Sequence, residues 1–266
     1  MEQISVFLAD WQVLFREGIH FTLSGEEDLV VIGEATNNTE ALDLIMKNPP
    51  RIAIININHS DFTGVNLTLS IRQNLPYVSV ILVMDTDDIN YIYSAVKCGA
   101  AACITKDIGP EELVSLVRKI AEGAEQMNQV ILRPDIASLI IDDFSNFSLM
   151  NDKVHGLLAS LSKSESEILS NISAGNTPGE IALALGISDE DVTKFLRIIR
   201  QKLETNERSR AIVEASQKAM TSSMEKTGDE ASPEEYITRD EFNAFKENLK
   251  EHFRAFTDKY RDFKSE

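Results

Sequence analysis

Apolar residues in the first 125 positions come in short runs separated by amphipathic stretches. Residues 4–9, 29–32, 52–55, 78–84 and 102–105 are compact apolar runs rich in Val and Ile, the signature of buried strands. Residues 16–23, 39–46, 65–71, 90–96 and 110–121 repeat their apolar positions at three and four, which is helical spacing. The last of these opens with Pro110-Glu111-Glu112, a helix-start signal. Strict alternation of strand and helix predicts an α/β domain over residues 1–125, with a five-stranded parallel sheet covered on both faces. Sites in such sheets lie beyond the carboxyl ends of the strands. Asp10, Asn56, Met84 and Lys106 each fall at or just past a strand end.

The pattern then changes. Residues 126–160 read as a connection holding one short helix after Arg133-Pro134-Asp135. Ile136, Leu139, Ile140 and Phe144 share a face of it that must be covered, either by one of the domains or by another subunit. Residues 161–218 carry three helix starts of one type. Ser162 precedes Glu165 by three, Thr177 precedes Glu180 by three with Pro178 between, and Ser188 precedes Asp191 by three. Each is a capping box or close to one. A short helix ending at Gly186 and a longer one starting at Ser188 predict an all-α helix-turn-helix domain. On the longer helix Val192, Phe195, Leu196, Ile199 and Leu203 make an apolar stripe, while Thr193, Lys194, Arg197 and Arg200 lie opposite. A recognition helix needs that division: one stripe on the core and one face of donors for phosphates and base edges. Residues 219–237 read as a flexible polar linker, and residues 238–264 as an amphipathic C-terminal helix with Phe242, Phe245, Leu249, Phe253, Phe256, Tyr260 and Phe263 on one face. Such a face either folds back or meets another chain.

Charge sharpens this picture. The formal net charge is -17, which alone argues against nucleic acid, but its distribution is uneven. Residues 1–130 hold 8 basic and 18 acidic side chains, whereas residues 194–210 hold six basic (Lys194, Arg197, Arg200, Lys202, Arg208, Arg210) against Glu204 and Glu207. A local basic stretch in an acidic chain is a small electrostatic footprint for a polyanion. No apolar run approaches the length of a membrane span, and no secretory leader is expected at the N-terminus. Cys98 and Cys103 have no metal-ligand spacing and read as buried free thiols in a reducing cytoplasm. No metal or cofactor is expected.

The runs Leu8-Ala9-Asp10, Phe15-Arg16-Glu17-Gly18, Gly33-Glu34-Ala35, Gly99-Ala100, Lys106-Asp107 and Pro110-Glu111-Glu112-Leu113 resemble the receiver domain of the NarL/FixJ response regulators, a flavodoxin-like fold. Leu161-Ser162, Glu165, Glu167-Ile168-Leu169, Gly175, Glu180-Ile181-Ala182, Leu185-Gly186-Ile187-Ser188, Val192, Lys202-Leu203 and residues 208–211 resemble the LuxR-type helix-turn-helix domain that follows such receivers. The resemblance implies contacts to double-stranded DNA from Thr193, Lys194 and Arg197, with Arg200, Lys202 and Arg208 completing the basic face. Receivers take a phosphoryl group on an aspartate with help from Mg²⁺, which needs three carboxylates, a hydroxyl and a lysine. Here Asp10 is followed by Trp11, the acceptor position is Asn56, the hydroxyl position is Met84, and Lys106 alone is intact. An amide is a poor nucleophile and a weak ligand for a hard cation. The pocket formed by Asp10, Trp11, Asn56, Met84 and Lys106 is therefore expected to be degenerate. Trp11 and Met84 either fill it with apolar volume or shape a surface for another ligand. Asn56 near Lys106 offers a neutral hydrogen bond in place of an ion pair.

The expectation is a non-enzymatic, cytoplasmic, homodimeric transcription regulator controlled without phosphorylation. A further protein partner is expected at the C-terminal helix, and no membrane. The alternative is an interaction adaptor whose helix-turn-helix no longer binds DNA, for which the acidic first turn Asp189-Glu190-Asp191 argues.

Overall fold

The structure is a computed structural model. It describes residues 3–57, 63–149 and 158–225, with side chains to residue 146 in the second stretch and to residue 211 in the third. Two compact units divide the chain at residues 213 and 214.

Strands β1 (Ile4–Ala9), β2 (Leu29–Ala35), β3 (Ile52–Asn56), β4 (Ser79–Met84) and β5 (Ala102–Thr105) alternate with helices α1 (Val13–Ser24), α2 (Asn38–Lys47), α3 (Gly64–Asn74), α4 (Ile89–Lys97) and α5 (Pro110–Ala121). The sheet is parallel throughout, in the order β2-β1-β3-β4-β5. Every residue of β3 is buried, as the apolar run Ile52 to Ile55 requires of a central strand covered on both sides. Pairing of Ala9 with Ile55, Asn56 with Val83 and Met84 with Thr105 brings the carboxyl ends of four strands to one edge. β2 runs three residues beyond the expected run because Gly33, Glu34 and Ala35 pair with β1 up to Ala9.

The helices form where local chemistry favours them. Asn37, Thr63 and Asp88 each accept a backbone N–H of the turn they cap. α5 starts at Pro110 with Glu111 and Glu112 in its first turn and ends with Arg118 and Lys119, charges that match its dipole at both ends. α1 buries Ile19 and Leu23 against the sheet, each worth about 1.5–3 kcal/mol. Its outer face is unusual: Trp11 just ahead of it, Leu14 and Phe21 are 50%, 90% and 84% exposed, and Gly18 lies between them with open space beside it.

Residues 126–149 differ from the single short helix expected. They form α6 (Gln126–Ile131) and α7 (Pro134–Leu149), with Pro134 at the start of the second. Met127, Ile131, Ile136, Ala137, Ile140 and Phe144 are buried in the same apolar cluster as Cys98 and Ala100 from the α4–β5 region and Ile168, Leu196 and Ile199 from the helices that follow. Packing within the chain thus covers that face.

Helices α8 (Lys163–Ser173), α9 (Pro178–Leu185) and α10 (Asp189–Glu225) follow. Ser162 and Thr177 form complete capping boxes with Glu165 and Glu180. Ser188 Oγ accepts the Asp191 N–H at 3.1 Å, and the Asp191 carboxylate accepts from the Ser188 hydroxyl at 2.8 Å. Between α9 and α10, Gly186 adopts φ +66, a left-handed conformation that ends the first helix at small cost only for glycine. α10 spans 37 residues. Residues 219–225, expected in a flexible linker, are its end, because no Gly or Pro interrupts the sequence before Gly228. The expected helix at 238–264 lies outside the described residues.

Candidate functional site

Two places collect the residues singled out by the sequence: the carboxyl edge of the sheet, and the exposed side of α10.

At the sheet edge Asp10, Asn56 and Met84 are buried, at 6%, 3% and 2% exposure. Both oxygens of Asp10 are engaged. Oδ1 accepts the Gln12 backbone N–H at 2.8 Å, and Oδ2 accepts the Asn56 side-chain amide at 2.9 Å. The Asn56 amide therefore turns to Asp10 rather than to Lys106. Lys106 Nζ instead pairs with Asp85 at 2.5 Å, donates to Gln12 Oε1 at 2.9 Å and lies 5.6 Å from the Phe15 ring centre. Arg16, buried beside them, donates to the Asp10 carbonyl and to Glu34, which also meets His20. Burial would raise the Glu34 pKa, but hydrogen bonds from His20 and Arg16 outweigh it and hold the carboxyl below its usual range. The enclosed space between Asp10, Phe15, Arg16 and Asn56 is about 10 Å³, room for one water at most.

This donor set does not fit the Mg²⁺ and phosphoryl group that the receiver resemblance implies. Of the carboxylate positions the chemistry uses, Asp10 is filled and Asn56 stands at the acceptor; both Asp10 oxygens accept hydrogen bonds, and a thioether stands at the hydroxyl position. Among the described residues no group of His, Cys, Asp and Glu is placed to hold a metal ion. Met84 is buried in the core, whereas Trp11 is half exposed. Position 11 begins the turn into α1, where the side chain leaves the sheet edge for solvent.

On α10, Thr193, Lys194 and Arg197 are exposed, with Arg197 one helical turn beyond the other two on a common face. Thr193 Oγ1 donates to the Asp189 carbonyl, and Lys194 Nζ is 3.0 Å from Asp191. The Ser188 hydroxyl and then Lys194 hold the Asp191 carboxyl below its usual range. Opposite, Val192, Leu196, Ile199 and Leu203 are buried and Phe195 is partly so.

Arg197 forms a bidentate pair with Glu125, from Nε to Oε1 at 2.7 Å and from the terminal nitrogen to Oε2 at 3.2 Å. Glu125 precedes α6, so residues 72 positions away in sequence close over the candidate contact face. Burial alone would raise the Glu125 pKa, but Arg197 holds it below its usual range, and the same bond raises the Arg197 pKa. Arg200 sits deeper. Burial lowers its pKa, opposed by the charges of Glu125 and Glu204.

The other two basic residues are committed to the fold. Lys202 Nζ donates to both Glu165 oxygens at 2.8 and 2.6 Å and to the Ser160 carbonyl at 2.9 Å. Arg208 pairs with Glu204, which also accepts Arg72 Nε at 3.3 Å. Glu204 lies under Gly99, whose φ is +78 and where an added Cβ would stand 2.5 Å from the Glu204 Cδ. Beside it Lys97, Asp143, Glu207 and Arg210 form a linked set of ion pairs, and Tyr93 donates to Asp143 at 2.7 Å. Sequence reasoning missed this network because its acidic members lie on α7 and α10 and its basic ones partly on α3 and α4.

Residues 6–118 match the response regulator receiver domain, and residues 159–215 match the bacterial regulatory proteins of the LuxR family. The transcriptional regulatory protein YxjL of Bacillus subtilis is 27% identical over 212 residues, covering 80% of this chain and 94% of that protein. The transcriptional regulatory protein DegU of Brevibacillus brevis is 27% identical over 219 residues, covering 80% and 93%. Among solved structures, the receiver domain of the putative response regulator NarL from Mycobacterium tuberculosis is 30% identical, with a TM-score of 0.45, over 47% of this chain and 100% of that one. With a parallel five-stranded domain, a helix-turn-helix and relatives aligned along both, the chain joins a response regulator receiver domain to a regulatory domain of the LuxR type.

Proposed function

We propose that the chain is a DNA-binding transcription regulator whose receiver works without phosphorylation. One observation carries the DNA reading: Thr193, Lys194 and Arg197 share the exposed face of the second helix of a capped helix-turn-helix. Lys194 and Arg197 meet DNA phosphates and base edges, and Thr193 approaches the groove between them. Lys202 and Arg208 act indirectly, by anchoring α10 to Glu165 and Glu204. In the arrangement described, Glu125 occupies Arg197, so DNA must displace that carboxylate to use the guanidinium.

Independence from phosphorylation is supported by an amide at the acceptor position, Asn56, which offers no carboxylate nucleophile and donates to Asp10 instead. The protein acts in the cytoplasm as a regulator without enzymatic activity. It works as a homodimer, because helix-turn-helix proteins read paired half-sites, and the C-terminal segment is its site for a further protein. Among the described residues no helix is long and apolar enough to cross a membrane.

The test is selection of bound fragments from a random duplex library with the full-length protein, followed by a salt titration of the best fragment. Affinity should fall linearly in log–log form with salt. Lys194→Ala with Arg197→Ala should weaken binding and reduce the salt slope by about 2. Enrichment of no sequence, with the double variant folded and indistinguishable, selects the adaptor reading, which the acidic first turn of α10 favours.

A further inference from the structure

Between the receiver and α10 lies a cleft of about 190 Å³, its wall including Arg72, Ser79, Gly99, Gly123, Glu125 and Arg200. The cavity at the sheet edge, by contrast, is nearly filled. The charges around the cleft do not balance. Arg72, Arg197, Arg200 and Arg208 share two carboxylates, Glu125 and Glu204. Glu125 is spent on Arg197, and Glu204 is divided between Arg72 and Arg208. Arg200 is half-buried and has neither a hydrogen bond nor an ion pair among the described residues. Arg208 Nε is likewise buried without a partner.

Cations are scarce in this protein, at 26 against 43 acidic residues. A half-buried guanidinium with no hydrogen-bonded partner is favoured by an anion that pairs with it, and a guanidinium presents a planar fork matched to phosphate oxygens. Gly99 and Gly123 carry no side chain into the space and leave their backbone exposed to whatever enters.

We propose that this cleft binds a small phosphate-bearing anion, of the size of pyrophosphate or a small phosphate ester, with Arg200 as its principal contact and Arg72 as the second. The site exists only while α10 lies against the receiver. By linkage, an occupant stabilises that arrangement and holds Arg200 and its neighbour Arg197 away from DNA. This last consequence rests on the DNA-binding reading; the binding itself does not.

The experiment uses the full-length protein without DNA and inorganic pyrophosphate as the probe, at ionic strength held constant with chloride. Calorimetric titration should give saturable one-to-one binding, and the unfolding temperature should rise with pyrophosphate and level off in step with occupancy. Arg200→Gln should weaken binding at least tenfold, and Arg200→Lys should recover part of the loss. Ala124→Glu places a carboxylate in the wall without touching the arginines and should also weaken binding at least tenfold; it decides the matter if Arg200→Gln fails to fold. Heats and melting shifts no larger than those of chloride would overturn the proposal, as would unchanged affinity in folded Ala124→Glu. Adding pyrophosphate should then weaken capture of the selected DNA. If pyrophosphate binds and no DNA does, the function proposed above fails while the anion site stands.

Discussion

Replacing Glu125 by glutamine tests whether the receiver restrains the recognition helix. The substitution keeps the size of the side chain and removes its charge. Arg197 is 49% exposed and Glu125 29%, so the pair lies between a surface bridge, about 0.2–1 kcal/mol, and a buried charge-assisted bond, about 1.5–3 kcal/mol. Solvent screening at Arg197 places the contribution near ~1 kcal/mol, since half of that side chain meets water. The glutamine amide oxygen would still accept one N–H, so the loss is at most that amount. Free energy released from the closed arrangement reappears as DNA affinity, about fivefold at ~1 kcal/mol. Fluorescence anisotropy with the selected duplex, at fixed salt, measures it. Removing one acidic charge near a polyanion also helps non-specifically, so Glu122→Gln, on the neighbouring exposed turn, supplies the baseline. An increase in Glu125→Gln no greater than in Glu122→Gln, or a decrease, would refute the idea that this carboxylate restrains Arg197. The pH dependence has a defined sign. The folded pKa of Glu125 is depressed, so its stabilisation is present above the ordinary carboxylate pKa and is lost as pH falls through the folded value. Closed-form stabilisation by this pair should therefore fade in acid and stay constant from about pH 6 to about pH 8.

Other consequences are accessible by simple measurements. Incubation with acetyl phosphate and Mg²⁺ should add no phosphoryl mass, and acid-labile phosphorylation in mass spectrometry would overturn the degenerate-pocket reading. Asn56→Asp should lower stability by about 2 kcal/mol near neutral pH, because it replaces a buried donor to Asp10 with a like charge; the shared carboxyl pKa rises, so chemical denaturation should show the deficit shrinking as pH falls toward about 5. Gly99→Ala should cost about 2–3 kcal/mol in urea denaturation, combining the left-handed φ with displacement of Glu204. Burial pushes the Cys98 and Cys103 thiols up to about 12 and about 11, so neither should react rapidly with Ellman's reagent at about pH 8 until the protein is unfolded.

The sheet edge was legible because strand ends announce themselves. Apolar runs stop at Ala9, Ile55, Met84 and Thr105, and the next chemistry-bearing residues share one edge in any parallel sheet. The capping boxes at Ser162 and Thr177 were equally readable, since their partners lie three residues away. What escaped was set by contacts distant in sequence. The basic run 194–210 looked like a single footprint, yet Lys202 belongs to Glu165, 37 residues away, and Arg197 to Glu125, 72 away. Periodicity also cannot say which of two apolar helix faces meets the protein. Residues 136, 140 and 144 found cover inside the chain, while Trp11, Leu14 and Phe21 did not. The outward turn of Trp11 follows from the geometry at the start of α1, which a volume argument about the pocket does not contain.

That uncovered α1 face ties the protein to the salt content of its surroundings. Two chains meeting there would bring together aromatic and aliphatic surface around a flat glycine, an attraction insensitive to salt. Each chain also carries -17, a repulsion that reaches about 10 Å at 0.1 M salt and about 3 Å at 1 M. Raising ionic strength therefore strips away the barrier to self-contact while it weakens the hold of Lys194 and Arg197 on phosphate. The same change in the medium drives the two equilibria in opposite directions, so concentrated stocks should be kept at low salt for solubility as well as for binding.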